Sequence, residues 1–173
     1  MSDKKPKNGM LVDRIENGIV IDHMKPGTSL IVMDLLNLTG KEFLYKKKII
    51  AIAMNVRSDK NSNKDVLKIS DFSLTNEMIE RLGLIIPKAT LNIIKDFHVI
   101  EKKEFGLPNE IGDLNCPSDS CITNNREDVK RKFFVITTKE NPAIKDDYQL
   151  RCKFCDQQFP ISQFLENWKI DWS

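Results

Sequence analysis

The chain has 173 residues, of which 40% are hydrophobic and 30% charged, a balance typical of a folded protein that excludes extended disorder. Residues 1–10 form a polar, Lys-rich tail that lacks the apolar core of a secretion signal. The longest apolar run, 49–54, is far too short to span a bilayer. We therefore expect a cytoplasmic protein that makes no membrane contact.

Charge is distributed unevenly along the chain, although the net charge is only +2. Residues 1–104 hold 18 Lys and Arg against 14 Asp and Glu, whereas residues 105–173 hold 9 against 11. Nucleic-acid-binding domains present a strongly basic face. Neither part of this sequence has such an excess, so we expect no nucleic-acid partner.

The first predicted elements are two short strands and a helix. Strands at 11–15 and 19–23 flank Asn17-Gly18, a dipeptide that favours a tight turn because both residues tolerate positive φ. An apolar helix then begins after Pro26 and ends at Thr39-Gly40. We expect this helix to bury Leu30, Ile31, Met33, Leu35 and Leu38.

Two further strands follow. Residues 45–56 are apolar on both faces, which is typical of a strand in the centre of a sheet. Residues 64–70 alternate, so that one face is apolar and the other carries Lys64 and Lys68. The second of these strands is thus expected to offer two ammonium groups to solvent.

A second helix and a last strand complete the first domain. Thr75 caps this helix and Pro87 ends it. Its apolar stripe consists of Met78, Ile79, Leu82 and Ile85. Residues 90–103 are expected to form one long strand or a bent pair. The order β-α-β-β-α-β predicts an α+β fold, the ferredoxin-like sandwich, with two helices on one face of an antiparallel sheet over residues 11–104.

Residues 105–173 are predicted to form a second, small all-β domain, entered through a hinge at 105–108. A core of this size is marginal without an internal cross-link. All four cysteines of the chain lie here, spaced C-x4-C and C-x2-C with thirty residues between the pairs. In a reducing compartment, such paired spacing favours metal binding over disulfides.

The spacing predicts one structural Zn²⁺ per chain, bound by Cys116, Cys121, Cys152 and Cys155. Each pair presents two sulfurs from one tight turn, and Zn²⁺ prefers four soft ligands in a tetrahedron. Four thiolates close the coordination sphere, so this metal would stabilise a fold and not catalyse hydrolysis. Unrelated thiols, two disulfides or an iron centre remain as alternatives.

An alternative from another functional class is a free zinc-ribbon module that binds nucleic acid. The insert between the cysteine pairs carries basic and aromatic side chains, namely Arg126, Lys130, Arg131, Lys132, Phe133 and Phe134. That combination is typical of nucleic-acid-binding loops. Acidic neighbours nevertheless favour the interpretation as a solvated charged loop beside a buried strand.

Signatures of catalysis are missing from the sequence. No Walker, Rossmann or G-x-S-x-G pattern occurs, and there are only two histidines. Asp22 and His23 could serve a small enzyme as an acid–base dyad, but neighbouring strand residues point to opposite faces. Alternatively, His23 together with Lys64 and Lys68 could hold phosphates through charge-assisted hydrogen bonds.

Four motifs resemble the regulatory chain of aspartate carbamoyltransferase. They are NGIVIDH at 17–23, KDVLKI at 64–69, PKATLN at 87–92 and the cysteine pairs CPSDSCI at 116–122 and CKFC at 152–155. The resemblance runs in the same order from about residue 12 to residue 159.

The resemblance implies a non-catalytic subunit of an enzyme of pyrimidine biosynthesis. Its first domain would be an allosteric domain that binds nucleoside triphosphates, with ATP activating and CTP inhibiting, the latter assisted by UTP. Its zinc domain would dock onto catalytic chains. Regulatory chains would pair through their N-terminal domains, and three such dimers would bridge two catalytic trimers.

The resemblance also assigns a nucleotide site. Asp13 and Ile15 fall on the segment whose backbone reads the base. His23 and Lys102 fall where the triphosphate lies. Lys68 matches a lysine near ribose and base. The remaining assigned positions are Val20, Asp22, Lys64, Asn92, Ile94, Phe97 and Val99.

Overall fold

The computed structural model describes residues 14–39, 48–58, 62–137 and 148–165, which form two antiparallel sheets and four helices. The tail 1–10, Asp13 and most of the predicted strand 11–15 lie outside the described residues. In chain order the elements are β1 (Gly18–Met24), α1 (Thr28–Leu35), β2 (Ile50–Arg57), β3 (Asn63–Ser70), α2 (Asn76–Ile85), β4 (Thr90–Lys95), β5 (His98–Glu104), β6 (Glu110–Gly112), α3 (Ile122–Asn125), β7 (Lys132–Thr137), β8 (Tyr148–Cys152), β9 (Gln158–Pro160) and α4 (Ser162–Leu165). None of the described helices has the length and apolarity needed to cross a membrane.

The first sheet has the strand order β2-β3-β1-β4-β5. Its first four strands follow the ferredoxin-like order, and the fold class predicted from the sequence is confirmed. The core lies on the side of the sheet covered by α1 and α2, where the inward-facing residues of the central strands are almost completely buried. These are Ile19, Ile21, Leu67, Ile69 and Leu91.

Strand β2 lies at the edge of this sheet, and the prediction of a central strand is wrong. Among the described strands it pairs with β3 alone. Ile49 and Met54 are 51% and 42% exposed. Apolar residues on both faces predict burial on both faces, but they cannot distinguish burial within one chain from burial against another chain.

Residues 90–103 form a hairpin, the bent pair that was one of the two expectations. β4 and β5 pair antiparallel through a tight turn at Asp96 and Phe97, which have φ of 50° and 64°. Positive φ at both central residues is the signature of a type I′ turn, whose twist matches that of the two flanking strands.

Helix α1 buries only part of the predicted face: Leu35, and Leu38 just after the helix, are buried as predicted. Ser29, Val32 and Leu35 are buried, whereas Leu30 is 54% and Ile31 38% exposed. The spacing of the buried residues is helical, but the phase is set by a polar residue because the Ser29 hydroxyl donates to a buried carboxylate. The prediction that Leu30 and Ile31 belong to the core is therefore wrong.

That carboxylate belongs to Asp65, which is 0% exposed on β3. Its Oδ2 accepts from the N–H groups of Gly27 and Ser29 at 2.8 and 3.2 Å and from the Ser29 hydroxyl at 2.8 Å. Its Oδ1 accepts from the N–H of Asn55 at 2.8 Å. Burial raises the pKa of Asp65, but these hydrogen bonds outweigh burial, and its pKa lies below the ordinary 3.8.

The low pKa predicts that Asp65 stabilises the fold at neutral pH. We expect Asp65→Asn to lower the free energy of unfolding by about 1.5–3 kcal/mol at pH 7, the range for hydrogen bonds to a charged group. A carboxyl group whose pKa is lower in the folded than in the unfolded state stabilises the fold at pH values above its unfolded pKa. This contribution disappears as the pH falls through the folded-state pKa, which lies below 3.8. Denaturant melts of both proteins should converge at acid pH, and a difference independent of pH would contradict the assignment.

Helix α2 begins as predicted. Thr75 Oγ1 accepts from the N–H of Met78 at 3.3 Å. Met78 and Leu82 are buried, while Ile79 and Ile85 are half-buried. The helix makes a close contact at Gly83, where an added Cβ would lie 2.2 Å from the carbonyl oxygen of Gly106.

The second sheet has the order β6-β7-β8-β9 and packs around aromatic side chains. Phe133 on β7 meets Phe164 on α4 edge to face, with ring centroids 5.1 Å apart. Leu150 on β8 is fully buried. The predicted hinge begins in the first domain's core, because Phe105 is 2% exposed and its N–H donates to the Ala89 carbonyl at 2.9 Å.

Candidate functional site

Four sulfur atoms converge beside the second sheet. Cys116 and Cys121 lie between β6 and α3, Cys152 ends β8, and Cys155 lies in the turn before β9. All four thiols are free, and their Sγ atoms lie within 4.8 Å of one another. The fold thus brings together the four cysteines predicted as ligands from their spacing.

Two of the sulfur–sulfur separations match the edge of a tetrahedral metal site. The Sγ atoms of Cys116 and Cys155 are 3.7 Å apart, and those of Cys121 and Cys152 are 3.8 Å apart. A tetrahedron with metal–sulfur bonds of about 2.3 Å has edges of about 3.8 Å. Disulfides require about 2.05 Å, so the alternative of two disulfides does not fit these separations.

The thiols differ in their readiness to lose a proton. Burial raises the pKa of Cys116 and of Cys152. Burial also raises the pKa of Cys121, but hydrogen bonds from Thr123, Cys116 and Cys152 together outweigh it and lower this pKa to about 7. The Thr123 hydroxyl oxygen lies 3.2 Å from this sulfur. A bound cation would favour the thiolate form at all four positions, since metal binding displaces thiol protons.

Two hydrogen-bond donors outside the four cysteines support the cysteine turns. The side-chain amide of Asn124 donates to the carbonyl of Cys116 at 2.8 Å and holds the first turn closed. The N–H of Phe154 donates to the sulfur of Cys152 at 3.5 Å. Sequence reasoning missed both, although an Asn shortly after a cysteine is a residue type that commonly bonds nearby backbone.

Two of the four basic side chains at 126–132 in the insert are paired with acidic side chains. Arg126 meets Asp128 at 2.6 Å, and Lys132 meets Glu110 at 2.6 Å. Such pairing leaves fewer cations to contact phosphates, which favours the solvated charged loop over a nucleic-acid surface.

A second set of candidate residues lies on the helix-free face of the first sheet. Val20 is opposite Lys68 on β3 and opposite Asn92 on β4, and Asn92 is opposite Lys102 on β5. The four residues therefore form one row across four strands. At about 4.8 Å per strand, the backbones of Lys68 and Lys102 are about 14 Å apart. Lys68 and Lys102 thus provide a cation at each end of the row, and the half-buried, uncharged Val20 and Asn92 lie between them.

One end of β1 carries a compact charged cluster. The ammonium of Lys64 lies 2.9 Å from the carboxylate of Asp22, and Nδ1 of His23 lies 3.2 Å from the same carboxylate. The expectation that Asp22 and His23 point to opposite faces is wrong, because His23 has φ of 61° at an irregularity in the pairing of β1 with β3. The three candidates Asp22, His23 and Lys64 thus lie together.

The other end of β1 is apolar. Ile94 is opposite Gly18 on β1 and Val99 on β5. Ile94 is 9% exposed, whereas Phe97 and Val99 are 53% and 58% exposed. Ile15 is buried just before β1, and Asp13 falls outside the described residues. The candidates thus divide into an apolar end and a charged end.

The fold and the site define a class: a ferredoxin-like α+β domain followed by a β-domain built around four cysteine sulfurs. The family model for the aspartate carbamoyltransferase regulatory chain, allosteric domain, matches residues 10–106. The model for the metal binding domain of the same chain matches residues 109–164. The chain belongs to the family of aspartate carbamoyltransferase regulatory chains. It is therefore a non-catalytic subunit that associates with catalytic subunits.

Curated relatives with the same description match nearly end to end. The chain is 38% identical over 157 residues to the aspartate carbamoyltransferase regulatory chain of Methanoculleus marisnigri, covering 90% of this chain and 92% of the relative. It is 41% identical over 157 residues to that of Methanospirillum hungatei, with the same coverage. It is 41% identical over 151 residues to that of Metallosphaera sedula, covering 87% and 89%.

Proposed function

We propose that the chain binds nucleoside triphosphates on the helix-free face of its first sheet and passes their effect to catalytic subunits. CTP, assisted by UTP, inhibits, and ATP activates. The observation that carries the proposal is the row from Lys68 to Lys102 beside the Asp22 cluster, because a polyanion needs several charge-assisted donors. We assign residues 11–104 to this allosteric domain and residues 105–173 to docking.

The two ends of β1 suit the two parts of a nucleotide. The triphosphate would lie at His23, Lys64 and Lys102, where the donors are cationic. The base would lie at the apolar end, where Ile15 and Ile94 are buried. The site is completed by Asp13, Val20, Asp22, Lys68, Asn92, Phe97 and Val99. Effectors change activity only through their difference in affinity between quaternary states, typically about 1–3 kcal/mol.

We also propose that the metal is Zn²⁺, one per chain, and that it acts structurally. Four thiolates select a soft tetrahedral ion and leave no position for substrate. Cys116, Cys121, Cys152 and Cys155 would hold it, and its chemistry there is to cross-link the second domain. Four reduced cysteines are consistent with a cytoplasmic location.

The proposed assembly is a regulatory dimer, formed through the first domain, with three dimers bridging two catalytic trimers. The edge strand β2 supports self-association, because its outer hydrogen-bonding groups have no described partner strand. The exposed Ile49 and Met54 would gain burial there. Dimer formation would therefore remove an edge that is otherwise prone to aggregation.

If the triphosphate lies at Lys102, removing this ammonium should weaken nucleotide binding, whereas removing a neighbouring ammonium should not. We expect Lys102→Ala to weaken CTP and ATP binding on the order of tenfold, the loss of one charge-assisted hydrogen bond. Calorimetric titration of the full chain measures it. Lys103→Ala is the matched control, since Lys103 is adjacent on β5, points to the opposite face and pairs with Glu101. Equal affinities in the two variants would refute the assignment.

A further inference from the structure

Asp65 lies directly beneath the charged end of the proposed nucleotide site. The residue before it, Lys64, belongs to the Asp22 cluster. On β1, Asp65 is opposite Met24, the residue that follows His23. Side chains of successive strand residues point to opposite faces. The carboxylate of Asp65 therefore lies on the helix side, while the ammonium of Lys64 lies on the helix-free side.

The contacts of Asp65 are unusual for a buried charge. All its described donors are neutral, namely three backbone N–H groups and one hydroxyl. Among the described residues it forms no ion pair, and burying a carboxylate without a cation is costly. The first turn of α1 provides partial compensation, since Gly27 and Ser29 present N–H groups there. An apolar residue would avoid the cost of burial, but it would not hold these segments together.

The donors come from the segments that flank the charged end. Gly27, with φ of 89°, closes the loop that follows His23 and leads into α1. Asn55, with φ of 54°, forms the irregularity of β2 opposite β3. Gly27 adopts its positive φ without strain because it is a glycine, whereas the left-handed conformation of Asn55 is disfavoured for a residue with a side chain and needs tertiary contacts to persist. One carboxylate holds both.

We propose that Asp65 is a positioning residue for the phosphate-binding end of the nucleotide site, tying the loop after His23 and the edge strand β2 to Lys64. The inference rests on the proposed nucleotide function. Asp65 does not touch the nucleotide. It fixes the backbone from which His23 and Lys64 reach the phosphates, so its loss should weaken binding of the phosphate chain and leave binding of the base unchanged.

The test compares CTP with CMP, because the two ligands differ only in the length of the phosphate chain. The variant is Asp65→Asn. Both oxygens of Asp65 accept hydrogen bonds, so an amide in either orientation turns its NH₂ group towards an N–H donor. We expect CTP affinity of the full chain to fall on the order of tenfold, and CMP affinity to stay within about twofold.

Ser29→Ala is the second variant, and Asp113→Asn is the matched control. Ser29→Ala removes one hydroxyl donor and keeps the charge of Asp65. It should therefore also weaken CTP binding selectively, by about threefold, and leave CMP affinity unchanged. Asp113 is exposed in the second domain, and its neutralisation should change neither affinity. If Asp65→Asn fails to fold, Ser29→Ala decides the matter.

The outcomes separate the inference from the proposed function. If the unaltered chain binds no CTP, the proposed function fails, and the inference fails with it. If the unaltered chain binds CTP and the folded variants bind it equally well, the inference alone is overturned. It is also overturned if CTP and CMP lose affinity by the same factor, because that result indicates a general loss of structure.

Discussion

A chain carrying Cys152→Ser is expected to lose its zinc and to fail to associate with catalytic subunits. The proposed metal would tie together two turns that are separated by thirty residues of sequence. Structural zinc contributes about 10–16 kcal/mol of binding free energy at neutral pH, more than the stability of a small domain. Zinc content by elemental analysis and complex mass by sedimentation measure the two effects.

The control for this variant is Ser120→Ala, which alters an exposed residue next to Cys121 and leaves all four sulfurs in place. It should keep one zinc per chain and assemble normally. A mercurial that blocks thiols should release the same amount of zinc from the unaltered chain. Full zinc content in Cys152→Ser, or assembly of a zinc-free chain, would contradict the proposed role of the metal.

The substitution Gly83→Ala is expected to destabilise the protein by about 1–3 kcal/mol, the usual cost of forcing extra volume into a packed contact. The new methyl group would meet the Gly106 carbonyl at 2.2 Å, so α2 or the chain at 106–108 must move. Because α2 contacts the segment that leads into the second domain at Gly106 and Pro108, and the proposed allosteric signal must cross that segment, we also expect a weaker response of activity to CTP. Thermal unfolding and assays of the reconstituted complex measure these changes.

Gly106→Ala is the matched control, because it adds the same methyl group to the other partner of the contact. Nothing lies within 4 Å of a Cβ built there, and Gly106 does not have the left-handed conformation that favours glycine. Its stability should stay close to that of the unaltered chain. Equal melting temperatures for the two variants would show that the close approach at Gly83 has no energetic weight.

The sequence predicts features whose determinants are local. The spacing of the cysteines is enough to predict the cluster, because each pair requires only one tight turn. The alternation of residues 64–70 predicts that Lys64 and Lys68 lie on the face opposite Leu67, and β3 has this arrangement. The order of strands and helices restricts the topology to the ferredoxin-like sheet.

Features that depend on distant contacts were not predictable in this way. Ser29 and Asp65 are 36 residues apart, so no local pattern predicts that a serine is buried and sets the phase of α1. Leu30 and Ile31 are hydrophobic residues of the kind found in cores, and yet their side chains lie at the surface. Local alternation also fails at His23, where a positive φ brings two successive side chains together.

The most direct test of the proposed regulatory function is to mix the purified, zinc-loaded chain with the catalytic subunit of aspartate carbamoyltransferase from the same source. Complex size is followed by sedimentation, and activity is measured with CTP, with ATP and without nucleotide. We predict a larger complex whose activity falls with CTP and rises with ATP. Absence of a complex with zinc present, or a complex indifferent to both nucleotides, would contradict it.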